Sequence, residues 1–233
     1  MLNNFFVHPS HSKPLTNFVR LCYNSSMRTK NISDGQKRPS FIEAARRTQL
    51  IECAIETIAT QGYAQASLAQ IAKQAGISKS VITYYFNSKE TLIEQVVKEI
   101  LTDAAHFIGP QLAAQPTARL RLQTYIQAHV EYISTHLKQM MAIMEIAIHV
   151  RTEEGKLRYG TTTEQPVLTA LKTLLRKGQE EGDFRAFDLH VMAVTIRRAI
   201  DALPPLLIAD PDLDVDLYAR ELVTLFDRAT RKE

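Results

Sequence analysis

Between Lys79 and Tyr84 the chain places an ammonium, two hydroxyls and a phenol, at Lys79, Ser80, Thr83 and Tyr84. These groups donate and accept hydrogen bonds, and no general base or nucleophile stands beside them. Such side chains suit base edges and phosphates. Groups fitted to bond-making chemistry are sparse elsewhere. Glu145 and His149 lie four apart and share a helix face, and His129 could join them as a third metal ligand. No His-Glu-x-x-His run or cysteine pair accompanies them, so polar groups rimming a pocket are the better reading. Cys53, among Leu50, Ile51 and Ala54, reads as a buried structural thiol. Gly155 and Gly160 make no phosphate loop. We expect no catalytic residue, no cofactor and no metal. Met140, Met141 and Met144 are a different kind of signal, because methionine adapts to variously shaped apolar partners. With Tyr125, His129, Tyr132, Glu145 and His149 they mark the central helices as a candidate small-molecule pocket. Plain core filling is the alternative for each methionine.

The polar face at 79–84 needs a scaffold, and the residues before it supply one. Ser67 and Gln70 form a capping box for a short helix with Leu68, Ile71, Ala72 and Ala75 on one face. Gly76 ends it, since a sharp turn needs a residue that accepts left-handed dihedrals. Ser78 opens a second short helix, roughly Lys79 to Tyr85. Two short helices across a tight turn make a helix-turn-helix. Ile71, Ala72, Ile77 and Ile82 can fill the core between them, so that the second helix holds a fixed angle and its outer face can enter a major groove. A helical hairpin within an ordinary bundle is the plainer reading of this pattern alone.

The flanking residues narrow the choice. Ala54 to Tyr63, Ser67 to Lys79, and Tyr84-Tyr85-Phe86-Asn87-Ser88-Lys89-Glu90-Thr91-Leu92 together resemble the TetR family of bacterial transcriptional regulators. The resemblance covers about residues 40–100, and Gly182-Asp183-Phe184-Arg185 and Ala209-Asp210-Pro211-Asp212 extend it more weakly. It implies a DNA-binding domain over residues 40–88 and a helical effector-binding and dimerisation domain over 89–233, after a disordered basic extension at 1–39. It also implies that Ser67 caps the helix lying on the DNA backbone, that Lys79, Ser80 and Thr83 read bases, and that Tyr84, Tyr85 and Lys89 grip phosphates. The departures are the long N-terminal tail and Pro204-Pro205, which interrupts a helix the family usually uses for dimerisation.

The rest of the chain is helical in pattern. Ser40 with Glu43 opens a first helix carrying Leu50, Ile51, Ala54, Ile55 and Ile58 up to Gly62. Asn87 or Ser88 opens a long one, which Gly109-Pro110 should break. Further helices are expected from Pro116-Thr117, from Met140 to Val150, from Pro166 to Gly182, from Asp188 to Pro204-Pro205, and after Asp212. The expectation is an all-α fold of about nine helices.

Composition closes several alternatives. The 233 residues carry 28 Lys and Arg against 25 Asp and Glu, with 45% apolar residues. That is enough for a core and argues against disorder. Two cysteines exclude a disulfide framework, and no apolar run suits a membrane helix. A cytoplasmic protein is expected. Residues 1–39 hold six basic side chains against one acidic, while residues 40–100 hold six of each. The first six residues are uncharged and Asn3 and Asn4 break the apolar stretch, so no signal peptide is read. Met27 is an alternative start that would leave a short basic arm. The near-neutral body disfavours a nonspecific DNA-coating protein, and an all-α enzyme would need a convergent polar site that the sequence lacks. The expected protein is a ligand-responsive repressor that binds a pseudo-palindromic double-stranded operator as a homodimer.

Overall fold

The computed structural model describes residues 41–159 and 161–232. The basic extension and the Ser40 cap lie outside the described residues. Among those described there are ten helices and no named strand: α1 (Phe41–Gln61), α2 (Leu68–Gln74), α3 (Lys79–Tyr85), α4 (Lys89–Ala113), α5 (Ala118–Thr135), α6 (Leu137–His149), α7 (Thr161–Glu181), α8 (Leu189–Asp201), α9 (Leu203–Ala209) and α10 (Val215–Thr230).

Caps and turns fix most boundaries. The Ser67 hydroxyl accepts from the Gln70 N–H at 3.2 Å, and Ser88 does the same for Thr91 at 3.2 Å. Thr117, Asp188 and Asp214 cap α5, α8 and α10 in the same way. Each cap satisfies an amide that the first turn leaves unpaired.

Proline positions depart from the local expectation. Pro110 lies inside α4 and does not break it, and the Ala114 N–H still reaches the Pro110 carbonyl at 3.1 Å. Pro110 falls in the last turn, where the missing N–H removes one bond. Buried Ile108 and Leu112 hold the segment on either side. Pro166 likewise sits within α7 instead of starting it. Pro204-Pro205 does end the preceding helix, and then occupies the first turn of the short α9, where proline costs no helical bond.

Two clusters of buried side chains carry the fold. One joins Leu50, Ile51, Ala54 and Ile58 of α1 to Ile71, Ile82 and Phe86, then to Leu92 through Ile100 of α4, and to Ala142 and Ile146 of α6. The other joins the C-terminal half of α4 to α5, α7, α8, Leu203 and Phe226. Each fully buried Leu, Ile or Phe contributes about 1.5–3 kcal/mol. The first cluster runs without interruption across residue 88, and α6 packs directly along α1.

Candidate functional site

The helix-turn-helix is built on Gly76, whose φ of 66° turns the Ile77 N–H back to the Ala72 carbonyl at 2.9 Å. That turn lays α3 across α2 with Ile71, Ala72, Ile82 and Phe86 buried and Ile77 half-buried beside them. A contact invisible to local pattern completes the mount. Arg47 of α1 places its guanidinium 4.7 Å from the Phe86 ring centre and donates to the Tyr85 carbonyl at 2.9 Å. It thereby satisfies an orphan carbonyl at the end of α3 and complements the helix dipole there.

Lys79, Ser80, Thr83 and Tyr84 all face solvent on α3, and Tyr84 is 72% exposed. Their hydroxyls have partners within the chain. Thr83 donates to the Lys79 carbonyl at 2.7 Å, Ser80 shares a 2.8 Å bond with Ser78, and the Tyr84 hydroxyl lies 3.5 Å from Glu43. The Tyr84 ring stands edge-on to half-buried Tyr85, 5.1 Å away. Ser67 lies exposed at the start of α2.

Lys89 is placed differently from its neighbours. Its ammonium donates to the Tyr63 carbonyl at 2.7 Å and sits 3.8 Å from the centre of the Tyr63 ring. Burial lowers its pKa, with Glu90 opposing. Tyr63 follows Gly62, which ends α1, and its amide donates to Glu145 Oε2 of α6 at 3.1 Å. His149 lies with Nδ1 3.3 Å from the same carboxylate, its ring stacked on Tyr63 with centres 6.1 Å apart. Lys89, Tyr63, Glu145 and His149 thus form one knot between α1, α4 and α6. Two residues expected in the small-molecule pocket belong to this knot instead.

The other pocket candidates divide. His129, Tyr132 and Met140 line a cavity of about 100 Å³ together with Ile100, Ile108 and Arg197. Tyr125 faces a separate hollow of about 320 Å³ beside Arg121, Leu171 and Lys177. Met141 is half-buried and Met144 is 38% exposed, and both lie outside these spaces. The α6 periodicity explains the split, since Met140 and Ile143 turn toward the cavity while Ala142 and Ile146 turn toward α1.

The cavity wall has a definite polarity. His129 Nδ1 lies 2.8 Å from the Tyr125 carbonyl, so it must carry the proton, because a carbonyl only accepts. Burial, then the Arg197 charge, pulls the imidazole pKa down to about 3. Burial works against the Arg197 charge, but Asp201 and Tyr125 outweigh it and raise its pKa. Arg197 pairs with Asp201 at 2.6 and 3.1 Å. The Tyr132 hydroxyl donates to Asp103 at 2.9 Å, and its pKa is raised by burial and by that carboxylate.

His129 is not brought together with Glu145 and His149. Among the described residues no group of three or more His, Cys, Asp or Glu could hold a metal ion. Cys53 is half-buried, not buried, and its thiol pKa is raised by burial and by Glu52 and Glu56, which disfavours the nucleophilic thiolate. Among the described residues no helix is long and apolar enough to cross a membrane.

Comparison with known proteins agrees with this geometry. A model of bacterial regulatory proteins of the tetR family matches residues 50–96, which span most of α1 through the first turns of α4. The fatty acid metabolism regulator protein of Bacillus subtilis (strain 168) is 31% identical over 171 residues, 71% of this chain and 82% of that protein. The HTH-type transcriptional regulator BetI 1 of Chromohalobacter salexigens is 30% identical over 112 residues, 46% of this chain. The chain spans 55% of the length of that relative. Among solved structures, the fatty acid degradation regulator FadR from Bacillus halodurans aligns with a TM-score of 0.69 at 22% identity, covering 82% of this chain and 97% of that one. A transcriptional regulator from Saccharomonospora viridis in complex with choline aligns at 0.67 and 19% identity, covering 82% of this chain and 100% of that one. At such identities the structural likeness concerns the fold.

Proposed function

The chain belongs to the tetR family of bacterial regulatory proteins, and from that premise we propose that it is a cytoplasmic, ligand-responsive transcriptional repressor. The observation that carries the reading is the outer face of α3. Lys79, Ser80, Thr83 and Tyr84 stand exposed on a helix whose opposite face is locked by Ile82 and Phe86. Lys79, Ser80 and Thr83 read base edges in a major groove, while Tyr84, Tyr85 and the start of α2 at Ser67 position the unit on phosphates. Their hydroxyls exchange short intrachain bonds for bonds to DNA. Residues 40–88 form the DNA-reading unit, and the helical body from residue 89 onward takes the effector and a second copy of the chain.

Two copies present two α3 helices to successive major grooves, so the operator is pseudo-palindromic. Support for the dimer comes from α8 and α10, which leave Val191, Leu217 and Leu225 exposed on otherwise amphipathic helices. Residues 40–100 carry no net charge, so nonspecific affinity is limited and selectivity rests on groove contacts and on the spacing of the two α3 helices. An effector that prefers a differently spaced state releases the operator by the ratio of its affinities for the two states. The relatives are regulators, and we read no turnover into this chain.

Footprinting on the intergenic DNA beside the gene tests the proposal. The expected result is one protected pseudo-palindrome, lost in a folded Lys79→Ala, Thr83→Ala, Tyr84→Ala variant. Protection that survives this triple substitution removes α3 as the reading helix.

A further inference from the structure

We propose that the cavity between α4, α5, α6, α7 and α8 is a binding site for a small uncharged alcohol, whose hydroxyl donates to His129 Nε2 while its hydrocarbon part lies against Ile100, Ile108 and Met140. This assignment rests on the regulator reading above and names the chemistry of its effector.

Four observations carry it. The cavity lies among helices and its lining is mainly apolar, which favours a hydrocarbon occupant. Its volume of about 100 Å³ is below the ~150 Å³ that accepts benzene, so an occupant of about five heavy atoms fits. The polar groups on the wall are mostly committed. The Tyr132 hydroxyl donates to Asp103, and Arg197 is matched by Asp201. His129 donates its Nδ1–H to the Tyr125 carbonyl, which leaves Nε2 as an acceptor lone pair on the cavity wall.

An acceptor calls for a donor on the ligand. Among the described residues Arg197 is the charged side chain on the wall, and its guanidinium already faces the Asp201 carboxylate. A ligand carboxylate would add an unmatched negative charge and present only acceptors to Nε2. A ligand ammonium would meet the Arg197 charge, and among the described residues no carboxylate lines the cavity to receive it. Either ion loses its hydration without recovering it. A hydroxyl supplies the one missing proton and no charge.

The test uses four matched probes on the full-length protein, followed by chemical-shift titration: 1-butanol, its isostere 1-methoxypropane, butyrate and butylammonium. We expect saturable binding of 1-butanol, with the ether about tenfold weaker because it lacks one hydrogen bond. Both ions should bind at least as weakly as the ether. His129→Leu should bring 1-butanol down to the ether's affinity, and Ala105→Leu, which fills the cavity, should weaken every probe. Should either variant fail to fold, the alcohol–ether difference on the unaltered protein decides. Equal affinity for alcohol and ether, tighter binding of either ion, or no saturation by 1-butanol overturns the assignment. Operator affinity with and without 1-butanol separates the two readings. Binding with the expected pattern but no operator release refutes effector control and upholds the site. Release by a charged probe that does not compete with 1-butanol upholds effector control and refutes this cavity as the effector's site.

Discussion

Lys79 and Lys89 carry the same ammonium ten positions apart, and their surroundings give them different work. Lys79 stands exposed on α3, whereas Lys89 is tied to the carbonyl and ring of Tyr63. Lys79→Ala should cost about 1–3 kcal/mol in operator binding, concentrated at particular base positions, with an unchanged melting temperature. Lys89→Ala should instead lower the melting temperature, since a part-buried cation–π contact contributes about 0.5–2 kcal/mol and each kcal/mol is worth ~2–4 °C at this size. Melting curves on both variants check this, and an unchanged curve for Lys89→Ala would return that lysine to the phosphates. Glu145→Ala leaves the Tyr63 amide without its acceptor and should cost about 1–3 kcal/mol by urea unfolding. The exposed face of α3 was readable in advance because it depends on residues a few positions apart. The knot around Tyr63 was not, because its partners lie 26 and 82 positions away and nothing in local spacing announces them.

At the scale of elements, two glycines do opposite jobs. Gly76 has open space around it and a φ of 66°, so alanine there meets no neighbour but is held in a left-handed conformation that costs about 1–2 kcal/mol. Gly178 lies within α7, where alanine is normally worth up to ~1 kcal/mol to a helix. A methyl at that position would overlap the buried ring of Phe184, which must shift to admit it. Gly178→Ala should therefore destabilise the protein, by roughly 1–3 kcal/mol. A gain in thermal stability would show that Phe184 yields easily. Proline marks the boundary of what spacing alone could tell. Pro204-Pro205 ends a helix as its local pattern suggests, while Pro110 and Pro166 stay inside theirs; at Pro110 the burial of Ile108 and Leu112 outweighs one missing bond. Helix periodicity gave the fold class. The division of the pocket residues depended on which face of α6 meets α1, a matter of tertiary packing.

Over the whole molecule, His129 links stability to acidity. The unfolded imidazole takes up a proton below about 6.5, but the buried one resists until about 3. Between those values the unfolded state binds more protons, so acidification favours unfolding by up to ~1.4 kcal/mol per pH unit from this group. Stability should fall as pH drops from 6.5 toward 4, and His129→Leu should flatten that slope in urea titrations. An identical slope in the variant would mean that His129 is protonated in the folded protein.

The cluster that runs from α1 through α4 into α6 also bears on recombination between relatives. An engineer who wants this reading head on another regulator's sensor would cut near residue 88, where α4 begins. That cut strands Leu92, Ile93, Val96 and Val97 on one parent and leaves Leu50, Ala54 and Ile58 facing a foreign surface. Grafts made there should aggregate or lose cooperativity. A viable graft carries α1 to the middle of α4 together with α6, which means three crossovers and not one. The transplantable unit is discontinuous along the chain.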